Sequence, residues 1–91
     1  MKPTHAYFRF TLRNGQATGF PALRWRWLKL PTDEELHLGF AGGRVVVLRG
    51  RRLTLLVQPL AQGLETEIQE LPERHADDGG WAVTKIEFEG D

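Results

Sequence analysis

Apolar and polar residues alternate one by one through most of this chain. A two-residue period marks strands with one buried and one wet face. From His5 to Leu12, Ala6, Phe8, Phe10 and Leu12 fall on one side and Tyr7, Arg9 and Thr11 on the other. Asn14-Gly15 follows, the pair that best tolerates the left-handed backbone of a tight hairpin turn. The return segment Gln16 to Pro21 carries Gly19 and Pro21, which predicts poor pairing or a strand that twists away. Leu23 to Leu30 reads as the second strong strand, ended by Pro31. Its phase changes: Leu23, Trp25 and Trp27 share one face, whereas Leu28 and Leu30 lie with Arg24 and Arg26 on the other. A bulge near Trp27–Leu28 is predicted to return the leucines to the core, with both indoles inside. Glu35 to Phe40 alternates again, with Leu36, Leu38 and Phe40 inward and Glu35 and His37 outward. Ala41-Gly42-Gly43 supplies a loop, and Arg44 to Arg49 reads as a well-buried strand.

The period breaks once. Leu53, Leu56, Val57, Leu60 and Leu64 form a helical stripe, and Gly63 stands where a left-handed cap would end it. Pro59 inside that stripe removes a hydrogen bond and crowds the preceding turn. Two readings follow, a short kinked helix over 52–62 or a strand arm folding back at Gly50-Arg51, and the stripe favours the helix. Leu64 to Leu71 then reads as a strand with Leu64, Thr66 and Ile68 opposed to Glu65, Glu67 and Gln69. Pro72 to Gly80 is a polar loop. In Trp81 to Glu89, Ala82, Thr84, Ile86 and Phe88 oppose Val83, Lys85, Glu87 and Glu89. The predicted fold is α+β: one antiparallel sheet of about six short strands, order ββββαββ, with one covering helix.

At 91 residues the chain forms one domain, residues 1–91, and buries roughly 60–65% of its unfolded surface. Its 41% hydrophobic and 26% charged residues are ordinary for a globular chain. Cysteine is absent, which removes disulfides, thiolate metal sites and a cysteine nucleophile, and points to the reducing cytoplasm. No signal region opens the sequence and no apolar run nears the ~18 residues of a membrane span. A soluble cytoplasmic protein is expected.

Net charge is zero, but residues 1–52 carry a balance of +7 and residues 53–91 a balance of −7. Such separation arises when strands of the two halves are neighbours and opposite charges face one another. It also favours self-association, basic half to acidic half. Serine is absent too, the threonines stand in no nucleophile motif, and the glycine clusters match neither a P-loop nor a dinucleotide fingerprint. His5, His37 and His75 are too far apart in sequence for a zinc-type pair. His37 beside Glu35 is the nearest approach to an acid–base pair, and His75 with Asp77 and Asp78 lies in a glycine-rich loop that preorganises nothing. The expectation is a non-enzyme without cofactor or metal.

Arg24-Trp25-Arg26-Trp27 is the most suggestive string. With the tryptophans inside, its arginines join Tyr7, Arg9 and Arg13 on an outer face, and Tyr7, Arg9, Arg13, Arg24 and Arg26 form the candidate surface for an anionic partner. Arginines that pair to the acids of the second half are the simpler reading. The sequence therefore predicts a non-catalytic protein-binding or self-associating module, most simply a homodimer with protected sheet edges. A single-stranded nucleic-acid binder is the alternative.

Overall fold

Phe8 and Phe10, inward residues of the first alternating segment, mark where two layers of this fold meet. The computed structural model describes residues 7–63, 66–72 and 80–90. Its strands are β1 (Tyr7–Thr11), β2 (Ala17–Pro21), β3 (Trp25–Thr32), β4 (Glu35–Phe40), β5 (Arg44–Arg51), β6 (Glu67–Gln69) and β7 (Ala82–Glu89), with one helix, α1 (Thr54–Ala61). They form two sheets, ordered β2-β1-β6 and β3-β4-β5-β7. Every pairing is antiparallel except β1 with β6.

The sheets close on a cluster of phenylalanines. Phe10 is fully buried and meets Phe20, Phe40 and Phe88 edge-on, while Phe20 stacks on Phe40 with ring centroids 4.5 Å apart. Leu36, Leu38, Val46 and Leu48 extend the core along β4 and β5, and Leu53, Leu56 and Leu60 bring α1 onto it. The α+β class, the inward faces of β1 and β4 and the helix are as the sequence reads.

Five details differ. The return segment after Asn14-Gly15 is a full strand, β2, registered with β1 from Tyr7↔Pro21 to Thr11↔Ala17, so there are seven strands among the described residues. Gly19 and Pro21 are tolerated because β2 is an edge strand. One predicted sheet is two, and a short helical turn at Ala22–Arg24 carries the chain between them; Leu23, expected on the strand, sits on that turn and is 91% exposed. Third, the bulge falls between Trp25 and Trp27 rather than at Trp27–Leu28. Trp25 consequently packs on the core, 6.0 Å from Phe8, while Trp27 is turned to the opposite face and is 43% exposed. Moving the extra residue earlier still returns Leu28 and Leu30 to the core, at the expense of one indole. Fourth, β3 continues through Pro31 to Thr32, which its edge position permits. Fifth, Thr84 is a bulged residue of β7, between the pairs Arg49↔Lys85 and Gly50↔Val83, and it brings Val83 into the core beside Ile86.

Helix α1 resolves the Pro59 ambiguity in favour of a helix, within the predicted bounds. The residue whose carbonyl loses its partner to Pro59 is Leu55, which is solvent-exposed. The first turn of α1 is capped from a distance by the β3–β4 turn. Asp33 Oδ1 accepts the Thr54 backbone N–H at 3.0 Å and its hydroxyl at 2.5 Å, and the Asp33 carbonyl accepts Leu53 N–H at 2.8 Å. The Thr54 hydroxyl, then the Thr54 N–H and the Arg52 charge, hold the Asp33 carboxyl below its usual range. A carboxyl lowered by folding stabilises the fold above its unfolded value of about 4, and that contribution fades as pH falls through the lower folded value. Asp33→Ala is therefore expected to lower the melting midpoint by a few degrees at pH 7. Circular dichroism melts should show the gap between variant and parent shrinking below about pH 4.

The predicted strand over 64–71 is described as β6, with Ile68 buried between exposed Glu67 and Gln69. Leu64, Glu65, His5, His75, Asp77 and Asp78 lie outside the described residues. Among the described residues no helix is long and apolar enough to cross a membrane.

Candidate interaction site at an open sheet edge

Two sheets present four edges, and three of them are guarded. On β7, Leu71 N–H donates to the Val83 carbonyl and Glu70 Oε2 accepts the Ile86 N–H, both at 2.8 Å. The other carboxylate oxygen of Glu70 accepts Arg13 N–H at 2.9 Å, so one side chain ties the end of β1 to the rim of the second sheet. Edge strand β3 is bulged and holds Pro31, and β6 is three residues long. These are the ordinary ways of blunting an edge.

Strand β2 has no such device along Ala17-Thr18-Gly19-Phe20. It carries no charge and no bulge, and its proline stands at the last position. Arg9 N–H donates to the Thr66 carbonyl and Glu70 N–H to the Thr11 carbonyl, so Arg9 and Thr11 face β6. By the alternation of a strand ladder, Phe8 and Phe10 then bond to β2 through Phe20 and Thr18. The backbone groups of Ala17, Gly19 and Pro21 consequently point away from β1. No described residue accepts the N–H of Ala17 or Gly19.

Beside this edge the layers part into a cleft. One lobe, about 390 Å³, is lined by Gly19, Phe20 and Pro21 on β2 and by Arg24, Phe40 and Arg44 across from them. A second lobe of about 300 Å³ shares Phe20 and Arg44 and adds Thr18, Phe88 and Glu89. The floor is aromatic and Phe88 is 40% exposed there. Arg44 belongs to both lobes, and Arg24 joins it in the first. On the other face of β2, Tyr7 leans over Gly19, where a Cβ would stand 3.6 Å from Tyr7 Cδ2.

The outer face of the four-stranded sheet is different in kind. Strand register aligns Lys29, His37, Val47 and Glu87 in one row and Glu35, Arg49 and Lys85 in the next. His37 Nε2 lies 2.5 Å from Glu35 Oε2, Arg49 bonds Glu35 at 3.1 Å and Glu87 at 3.2 Å, and Lys85 stands 3.6 Å from Glu87. The His37 hydrogen bond first, then the Arg49 charge, holds the Glu35 carboxyl low, and the Arg49 hydrogen bond, reinforced by Lys85, does the same for Glu87. A general acid needs the opposite shift. The predicted His37–Glu35 contact is real, but Arg49 makes it part of a cross-strand ion network. Trp27 lies flat on this face over Gly39, where a Cβ would come within 2.0 Å of the indole, with Lys29 5.8 Å from its ring.

The five residues of the candidate anionic-partner face are dispersed. Tyr7 and Arg9 share the outer side of β1, with Glu67 as the register partner of Arg9. Arg13 is held by Glu70, its Nε 3.7 Å from the carboxylate. Arg26, the bulged residue, folds back to donate to the carbonyls of Leu23 and Trp25. Arg24 lines the cleft. Opposite charges do meet across the two halves of the chain, at Arg13–Glu70 and Arg49–Glu87, although Arg24 and Arg26 are not the residues that pair. The edge of β2 and the bracing role of Glu70 escape sequence reasoning, and only the uncharged run from Gln16 to Ala22 signals the former. Among the described residues no group of three or more His, Asp or Glu side chains is placed to hold a metal ion. No family model, curated protein or solved structure matches the chain.

Proposed function

We propose that this protein is a non-catalytic interaction module that receives an extended polypeptide strand on the open edge of β2. The observation that carries this reading is the pair of outward N–H groups on Ala17 and Gly19, which no described residue accepts, on a strand without guarding charge or bulge. Strand addition gives affinity through main-chain hydrogen bonds, and the adjoining cleft of Phe20, Phe40 and Phe88 receives side chains on alternate positions. A cysteine-free chain suits such a role in the reducing cytoplasm. The dispersal of Tyr7, Arg9, Arg13, Arg24 and Arg26 weighs against a single-stranded nucleic-acid surface, since Arg13 and Arg26 already bond to the protein itself.

A titration of 15N-labelled protein with a synthetic peptide of the β2 sequence, Gln16 to Ala22, tests the reading. The largest amide shifts, with slowed hydrogen exchange, are expected at Ala17 and Gly19. Shifts confined to the Trp27–His37 face, or none at millimolar peptide and a protein concentration at which the chain is monomeric, would overturn it.

A further inference from the structure

Resting on that reading, we infer that the strand received by β2 is the β2 of a second copy, paired antiparallel about a two-fold axis at Gly19. The strand is self-complementary in three ways. First, only Ala17, Gly19 and Pro21 turn backbone groups outward, and centring on Gly19 sets Gly19 against Gly19 and Ala17 against Pro21. Two Gly19 N–H groups then donate to each other's carbonyls and each Ala17 N–H donates to a Pro21 carbonyl, giving four bonds. The missing N–H of Pro21 falls at the end of the ladder, where it leaves one acceptor per copy unmatched. Second, residues 17–21 carry no charge, so the two paired segments set no like charges against each other.

Third, the cleft beside the strand has an aromatic floor of Phe20, Phe40 and Phe88, with Phe88 40% exposed. Antiparallel pairing sets Thr18 against the partner's Phe20, so the two aromatic floors approach each other across the axis. The product is one continuous sheet, β6-β1-β2 followed by its symmetry mate, with both unguarded edges consumed and the aromatic cleft floors brought to the axis.

Sedimentation velocity over a concentration series tests the dimer, and a charge placed on its axis tests its geometry. Gly19→Asp, which sets two carboxylates against each other, should raise the dimer dissociation constant about tenfold or more. Because the chain holds no native cysteine, register can be read directly. Gly19→Cys should link two copies on mild oxidation, since hydrogen-bonded partners lie about 5.5 Å apart between Cα atoms, whereas Ala17→Cys, two positions off the axis, should not. A protein monomeric throughout, with the β2 peptide still binding, overturns the second copy and leaves strand addition standing. A dimer indifferent to the Gly19→Asp charge and to cysteine position overturns this interface. Failure of both dimer and peptide overturns the two readings together.

Discussion

Replacing Phe10 by alanine is expected to cost about 3–5 kcal/mol of unfolding free energy, the largest single-residue effect in the molecule. Phe10 is fully buried, and among the described residues its ring alone is in edge contact with Phe20, Phe40 and Phe88 together. Those partners come from β2 of one sheet and from β4 and β7 of the other, so the cavity left behind sits between rigid layers that cannot collapse into it. A domain of this length has about 5–14 kcal/mol in total. Urea unfolding followed by circular dichroism should show the midpoint falling by a quarter or more with an unchanged slope. Phe88→Ala, at a ring already 40% exposed, should cost clearly less. Equal losses at the two positions would show that Phe10 is not the keystone between the sheets.

Gly50→Ala should be damaging out of proportion to the single methyl group it adds. Gly50 needs no unusual backbone angle, so its role is space alone. A Cβ there would stand 1.9 Å from the Ala82 carbonyl oxygen, 2.9 Å from its carbon and 3.0 Å from Val83 Cα. All three are backbone atoms of β7, where the bulge at Thr84 draws the two strands together. No rotamer change relieves the clash; the strands must part. Overpacking of this kind costs about 1–3 kcal/mol, and here it also opens the end of the β5–β7 ladder. Thermal melts should record the loss, and amide exchange at Val83 should accelerate. A stable variant with a protected Val83 would refute the tight approach of the strands.

Much of this architecture is readable from spacing. The strict alternation of Phe8 and Phe10 and of Leu36, Leu38 and Phe40 places those side chains correctly, because a strand leaves no other choice once one face is buried. The stripe from Leu53 to Leu60 identifies α1 despite Pro59, since tertiary burial of three leucines outweighs one lost hydrogen bond. Misplacement arises where a one-residue insertion changes the phase. The pattern Trp25-Arg26-Trp27-Leu28 accommodates a bulge at either end, and packing against Phe8 and space over Gly39 select the earlier one. The division into two sheets leaves no mark on the two-residue period; it follows from Pro21 and the turn at Ala22–Arg24. The candidate site was legible only as an absence, an uncharged segment between basic flanks. Of the arginines that draw the eye, Arg13 is held by Glu70 and Arg26 by main-chain carbonyls.

The parallel pairing of β1 with β6 has a consequence for the order of assembly. Arg9 lies opposite Glu67 and Thr11 opposite Gln69, so contacts in this small sheet join stretches nearly sixty positions apart in a chain of 91. The first hairpin emerges from the ribosome long before the segment that completes its sheet. Closing so long a loop precedes any reward from the contact it makes, which places this molecule among slow folders for its size. Until that closure the nascent hairpin is exposed on both edges, and chaperone occupancy during synthesis should be greatest in that interval.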